Sequence, residues 1–253
     1  MPPTPALDDL RALIREAGRA VMAVYATDFD VRGKDDASPV TAADERAEAI
    51  ILDGLARLSP GVPVVAEEQA AAGESPEPGA RFWLVDPLDG TREFIKRNGE
   101  FTVNIALVED GRPVLGLVHA PALDRLYWGH AGHGAGVVDA DGERAIRVRT
   151  PPPEGLTVVA SRSHSDPATL AAFLGGRPVA QLINAGSSLK LCLVAEGRAD
   201  LYPRLGRTME WDIAAGHAVL AAAGGHVRRV DDGRELAYGK PGLDNPHFIA
   251  SGA

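Results

Sequence analysis

Leu7, Leu10, Ile14, Ala17, Val21 and Val24 recur at the spacing of one helical face and predict a first helix. Thr41-Ala42-Ala43-Asp44 has the form of a helix start close to a capping box, and the helix it opens turns Ala47, Ile50, Ile51, Leu55 and Leu58 inward. Between them, 33–39 is a polar loop or hairpin tip. A short strand, Val62 to Ala66, is expected to end at Glu67, and the Pro/Gly-rich run 70–80 reads as a mobile loop. From Phe82 the pattern changes to strands: Phe82–Val85, Phe101–Glu109, Val114–His119, Arg125–Gly129 and, after a glycine-rich stretch and the turn at 139–142, Ile146–Arg149.

Pro151-Pro152-Pro153 cannot continue a central strand and suggests a semi-rigid connection between two lobes, 1–150 and 151–253. The second lobe alternates strands and helices. Strands are expected at Leu156–Ser161, Val179–Ile183, Ala199–Tyr202, Val227–Val230 and Phe248–Ala250. Helices are expected after Asp166-Pro167, over Ser187–Glu196 with Gly197 as the stop, and over Ile213–Ala223 ended by Gly224-Gly225. This is an α+β or α/β pattern.

The chemistry concentrates at 83–94. An apolar strand runs into Asp86-Pro87-Leu88-Asp89-Gly90-Thr91, with Glu67-Glu68 closing an earlier strand. Carboxylates at strand ends are too costly to desolvate without a cation, and magnesium takes oxygen ligands from carboxylates, carbonyls, water and phosphate. Pro87 is expected to break the strand, letting Asp86 and Asp89 converge while the Leu88 carbonyl turns toward them. Gly90-Thr91 then opens a helical turn whose amides favour phosphate. Strand alternation keeps Glu67 and Glu68 from pointing at one ion, and Glu67 is the preferred ligand.

Composition narrows the partners. With 253 residues, 45% of them hydrophobic and 24% charged, the chain can bury a large core. A net charge of −9 without any Lys/Arg-rich run argues against nucleic acid, so phosphate must be met by metal and a few focused cations. The single cysteine, Cys192, lies in an apolar run and reads as a core residue. The N-terminus has no signal-peptide pattern and no stretch has the length of a membrane span. A cytoplasmic protein is expected, with a peripheral position at the inner membrane left open.

Other residues carry two readings each. Asp212 starts the alanine-rich helix, where an acid is favoured by the helix dipole; beside the carboxylate loop it becomes the ligand from the second lobe. Thr91 and Asp44 are ordinary capping residues, or a hydroxyl and a carboxylate that hold an attacking water. Lys190, in Gly186-Ser187-Ser188-Leu189-Lys190, is a solvated lysine or an anion clamp. Arg204, leaving a strand end, could fork onto a second phosphate. His164, in Ser161-Arg162-Ser163-His164, is by itself a surface histidine.

Glu67-Glu68, Asp86–Thr91 and Trp211-Asp212-Ile213-Ala214-Ala215-Gly216, in this order, resemble the three motifs of the inositol monophosphatase superfamily of magnesium-dependent, lithium-sensitive phosphatases. Within it, 92–101, 161–164 and 186–190 resemble the bacterial 3'(2'),5'-bisphosphate nucleotidases of the CysQ type; the Thr-Asn-Phe usual in inositol monophosphatases after Asp-Gly-Thr is missing. The resemblance implies a layered αβαβα sandwich. It implies two or three Mg2+ ions on Glu67, Asp86, Asp89, Asp212 and the Leu88 carbonyl, and Thr91 with Asp44 at the attacking water. It further implies substrate contacts from Gly90, Thr91, His164, Ser187, Lys190, Arg204 and Asp212. The expected substrate is a small nucleotide bisphosphate, 3'-phosphoadenosine 5'-phosphate, or the phosphosulfate. The rival readings are an inositol, histidinol or sugar monophosphatase with the same metal centre, and a nucleotide sensor without catalysis.

Overall fold

The computed structural model describes residues 3–27, 31–33, 39–162 and 166–252. Helix α1 (Leu7–Tyr25) and helix α2 (Ala42–Leu58) flank the antiparallel pair β1 (Val31–Gly33) and β2 (Pro39–Thr41). Strand β3 (Val64–Ala66), helix α3 (Glu67–Ala71), strand β4 (Arg81–Asp89) and helix α4 (Thr91–Ile95) follow. Strands β5 (Thr102–Glu109), β6 (Arg112–Ala120), β7 (Arg125–His130), β8 (Gly134–Asp139) and β9 (Gly142–Ile146) complete a seven-stranded sheet in chain order, with β3 parallel to β4 and all other neighbours antiparallel.

Strand β10 (Leu156–Ser161), helix α5 (Pro167–Leu174) and strand β11 (Val179–Ala185) form a parallel crossover unit. Helix α6 (Leu189–Ala195), strand β12 (Leu201–Arg204), helix α7 (Glu210–Ala222), strand β13 (His226–Arg229) and strand β14 (Phe248–Ser251) finish the chain. The second sheet runs β11-β10-β12-β14-β13.

Strand β4 shows why these layers form. Trp83 and Val85 point to one face with α1 and α2, whereas Phe82 and Leu84 point to the other with α6 and α7. Both faces are buried, so the strand reads as a continuous apolar run rather than an alternating one. The core beneath α6 and α7 also takes in Val159, Tyr202, Val227 and Phe248 of the second sheet, so residues before and after 151–153 share one apolar layer. Helix α5 contributes nothing to that layer and supplies the outer crossover. The result is a layered αβαβα architecture. Cys192 is buried and unpaired in it.

Helix α7 lies unusually close to the first sheet because two strand glycines make room. A Cβ at Gly116 would overlap the Ala215 carbonyl oxygen, and one at Gly129 would come within 2.5 Å of the Val219 Cα. That approach carries the N-terminus of α7, with Asp212, over the strand that holds Asp86 and Asp89.

Three local expectations need correcting. Pro87 does not end its strand: Asp86 pairs with Asn104 and Asp89 with Thr102, so β4 takes one extra residue as a bulge. Glu67 and Glu68 open a helix instead of closing a strand. The last strand of the first sheet ends at Ile146, where it was expected to begin, and β8 fills the glycine-rich stretch. Among the described residues, no helix is long and apolar enough to cross a membrane.

Candidate active site

A cleft of about 240 Å³ opens where α3, α4, α6, β12 and α7 meet. Glu67, Asp89, Gly90, Thr91, Ser187, Lys190, Arg204 and Asp212 line it, bringing together eight of the twelve candidates from five separate stretches of chain. Asp86 and Leu88 lie behind the wall at 1% exposure, as does Asp44 at 2% in the first turn of α2. His164 falls outside the described residues.

The bulge at Pro87 aims the loop. Asp86 Oδ1 accepts from the Leu88 N–H at 3.1 Å, which curls the chain back on itself. The Leu88 carbonyl is then 3.4 Å from the Thr91 hydroxyl, its weak donor. Gly90 adopts φ +93°, a left-handed turn that an ordinary side chain disfavours, and so starts α4 directly at Thr91.

The electrostatics of this cluster are lopsided. Burial raises the Asp86 pKa well above the usual carboxylate range, and Glu67, Asp89, Asp212 and Asp44 raise it further. Asp212 is raised well above its usual value by burial, then by Asp89 and Glu67, while the Met209 N–H and Arg204 pull the other way. Asp89 is raised by burial, against Lys190 and hydrogen bonds from Ser188. Acids that penalise one another in this way must be protonated or hold cations. Their hard oxygen donors fit magnesium. Among the described residues no three Asp, Glu, His or Cys side chains stand in ligating geometry as they lie. The Asp212 carboxylate accepts from the Met209 N–H at 2.8 Å.

The cleft also carries positive charge. Lys190 is buried, its amine donating to the Ser187 carbonyl and lying 5.5 Å from the centre of the Tyr202 ring. Burial pushes its pKa down to about 8, although Asp89 holds it up. Arg204 donates from one terminal nitrogen to the Arg207 carbonyl at 2.9 Å, and its Nε is buried with no partner among the described residues. Ser187 has φ +44°, and its buried Oγ is likewise without a partner. Glu100 fixes this loop by accepting from the Gly186 N–H at 2.8 Å while holding Arg162 bidentately at 2.8 and 2.7 Å.

Several site-building residues escaped the sequence reading. Glu48 is buried, and its two oxygens accept from the Glu68 and Gln69 N–H groups at 2.8 and 3.0 Å, anchoring the start of α3 and hence Glu67. Its position four residues after Asp44, on the same helical face, was the available signal. Glu210, fully buried, accepts from the Gly239 and Lys240 N–H groups at 2.7 and 2.9 Å and holds 239–240 against the start of α7. Tyr202, Arg207 and Thr208 also line the cleft.

Glu48→Ala leaves two backbone donors without their acceptor, so a stability loss of about 1–3 kcal/mol is expected. Turnover should fall with it as Glu67 loosens. Chemical denaturation and phosphate-release kinetics on one preparation check both, and unchanged kinetics would detach Glu48 from the site.

The model of the inositol monophosphatase family matches residues 5–250. The chain belongs to that family. It is an enzyme, a phosphatase. The 3'(2'),5'-bisphosphate nucleotidase CysQ of Escherichia coli (strain K12) is 53% identical over 249 residues, covering 97% of this chain and 99% of that one. The CysQ nucleotidase of Haemophilus influenzae is 32% identical, with 97% and 92% covered. Among solved structures, CysQ from Bacteroides thetaiotaomicron superposes with a TM-score of 0.80 at 37% identity, covering 97% of each chain. The Thermotoga maritima inositol monophosphatase superposes at 0.79 with 29% identity, covering 97% of this chain and 91% of that one.

Proposed function

We propose that this member of the inositol monophosphatase family removes the 3'-phosphate from 3'-phosphoadenosine 5'-phosphate, giving AMP and phosphate, with Mg2+ as its cofactor. The observation that carries the reading is a single cleft lined both by acids and by two buried or half-buried cations, Lys190 and Arg204. A substrate with one phosphate needs only the acids and their ions. The second pair of charges suits a second phosphate.

Glu67, Asp86, Asp89, Asp212 and the Leu88 carbonyl would hold two or three Mg2+ ions. Bound there, the ions make water more acidic and neutralise charge on the leaving oxygen. Thr91, whose hydroxyl already reaches the Leu88 carbonyl, would orient the water for in-line attack on phosphorus. Asp44, buried in the first turn of α2, would accept the proton relayed through Thr91. The bond from phosphorus to the ribose oxygen breaks, and that oxygen takes a proton from solvent water and leaves as the 3'-hydroxyl. Gly90 at the start of α4 would offer its backbone to the transferred group. Ser187, Lys190 and Arg204 would grip the phosphate that stays, with His164, outside the described residues, as a further nucleotide contact. Fixed charges of this kind accelerate reaction mainly by positioning and electrostatic stabilisation.

The test is phosphate release with Mg2+ from the adenosine bisphosphate, its phosphosulfate, AMP and inositol 1-phosphate, compared by kcat/KM. The bisphosphate is expected to exceed both monophosphates. Inositol 1-phosphate or AMP turning over as efficiently would replace this reading with a monophosphatase.

A further inference from the structure

We infer that Asn104 and Ser188 form a positioning device that ties Asp212, on α7, to strand β5 of the first sheet. The inference rests on the proposed site, since it takes Asp89 and Asp212 as groups that act on one cluster of ions. Neither Asn104 nor Ser188 touches the reacting atoms in this account. They act through the placement of Asp212.

The geometry is specific. Asn104 is fully buried in the middle of β5, directly opposite Asp86 in the strand register. Its Nδ2 donates to Ser188 Oγ at 3.1 Å. Ser188 Oγ in turn donates to the Asp212 backbone carbonyl at 2.7 Å. A hydroxyl has one proton, and at 2.7 Å the Ser188 proton goes to that carbonyl. One residue at the start of α6 therefore ties a strand of the first sheet to the first turn of α7.

A merely structural explanation accounts for less. A buried serine next to a helix start usually caps its own helix. Ser188 makes no such side-chain cap to α6. Its hydroxyl is spent on a carbonyl of another helix, the one belonging to Asp212. Asn104 is placed for the same purpose. An apolar residue would fill a fully buried position in this sheet without leaving an unpartnered oxygen, yet Asn104 Oδ1 has no partner among the described residues. An amide kept in the interior with half its hydrogen-bonding capacity unused is retained for the half that is used.

Outer groups that orient metal-binding carboxylates typically change metal affinity or activity 10- to 100-fold when removed, about the range expected here. Ser188→Ala deletes one oxygen from a buried position and keeps the backbone N–H. Mn2+ binding to the substrate-free protein, followed by electron paramagnetic resonance, should weaken roughly tenfold or more. Thermal unfolding with chelator present should change far less than that loss implies. Asn104→Ser, which leaves Ser188 in place without its donor, should weaken Mn2+ binding in the same direction, and it carries the test should Ser188→Ala not fold.

Asp89→Asn serves as the reference. If Asp89→Asn binds Mn2+ and turns over like the parent protein, the proposed site itself fails. If Asp89→Asn is impaired while Ser188→Ala and Asn104→Ser bind Mn2+ normally, the positioning role is overturned and the site stands. Loss of chelator-treated stability with unchanged Mn2+ affinity overturns it as well.

Discussion

Asp89→Asn is expected to lower kcat by about 10²-fold or more in a protein that still folds, the scale seen when one transition-state stabilising group is removed. The substitution preserves size and removes one negative charge from the cluster of Glu67, Asp86, Asp89 and Asp212. Asp89 contributes to the raised pKa of both Asp86 and Asp212, so its loss relieves both. In chelator-treated protein the variant should therefore be the more stable of the two. The sign with pH follows from linkage. Asp89 has a folded pKa above its unfolded value, so it favours folding only while protonated, and that favour fades as pH rises from the ordinary carboxylate range of about 4 through the raised folded value. The stability advantage of the asparagine variant should accordingly widen between about pH 4 and neutrality. Denaturation series at several pH values, with and without Mg2+, measure it. Near-parental turnover at saturating Mg2+ would remove Asp89 as a ligand, and an advantage that narrowed with rising pH would contradict mutual repulsion as its cause.

The parts of this site that the sequence revealed are those carried by contiguous residues. Asp86 to Thr91 form one loop, and their chemistry is visible because acids beside a buried strand need a reason. Asp212 was legible as well, though for two reasons at once: it does serve its own helix start, through the Met209 N–H, and it does line the cleft. Glu67 faces the cleft as preferred, although on a helix, because Glu48 captures the amides that follow it. The Asn104–Ser188 link was not legible. It exists only because β5, α6 and α7 meet, and nothing local to Asn104 distinguishes it from a polar residue on an exposed strand face.

Glycine was the main source of error in the fold. The glycine-rich stretch that follows the strand Arg125–Gly129 is given no element of its own, yet Gly136 sits inside β8, where a Cβ would lie 2.6 Å from the Trp128 indole nitrogen, and Gly129, at the end of its expected strand, lies beneath α7. These glycines are absent side chains that let other groups approach, and turn propensity cannot separate that use from a loop. Pro87 misled in the opposite direction. A proline was taken to end the strand, but a bulge absorbs it, and pairing resumes at Asp89. The same bulge separates Asp86, behind the wall, from Asp89, on it, so the irregularity that weakened the strand reading is what shapes the site.

Arg204→Ala should change which substrate is preferred more than it changes the chemistry. Arg204 ends β12 and lines the cleft, with its Nε unpartnered among the described residues and one terminal nitrogen held by the Arg207 carbonyl. That arrangement pre-orients a planar fork and leaves donor capacity for an anion. A charge-assisted contact is worth roughly 1.5–3 kcal/mol, about a ten- to hundredfold loss of kcat/KM for the adenosine bisphosphate, appearing mainly in KM. AMP and inositol 1-phosphate, with one phosphate each, should lose much less, so the variant becomes less selective as it becomes weaker. The variant retains Lys190 beside the vacated position, and its buried ammonium limits the loss to one of two contacts. Measuring the bisphosphate and a monophosphate on the same variant separates selective grip from general electrostatics. An equal loss on both would make Arg204 a structural or field-generating residue, and the bisphosphate reading would then stand on Lys190 alone.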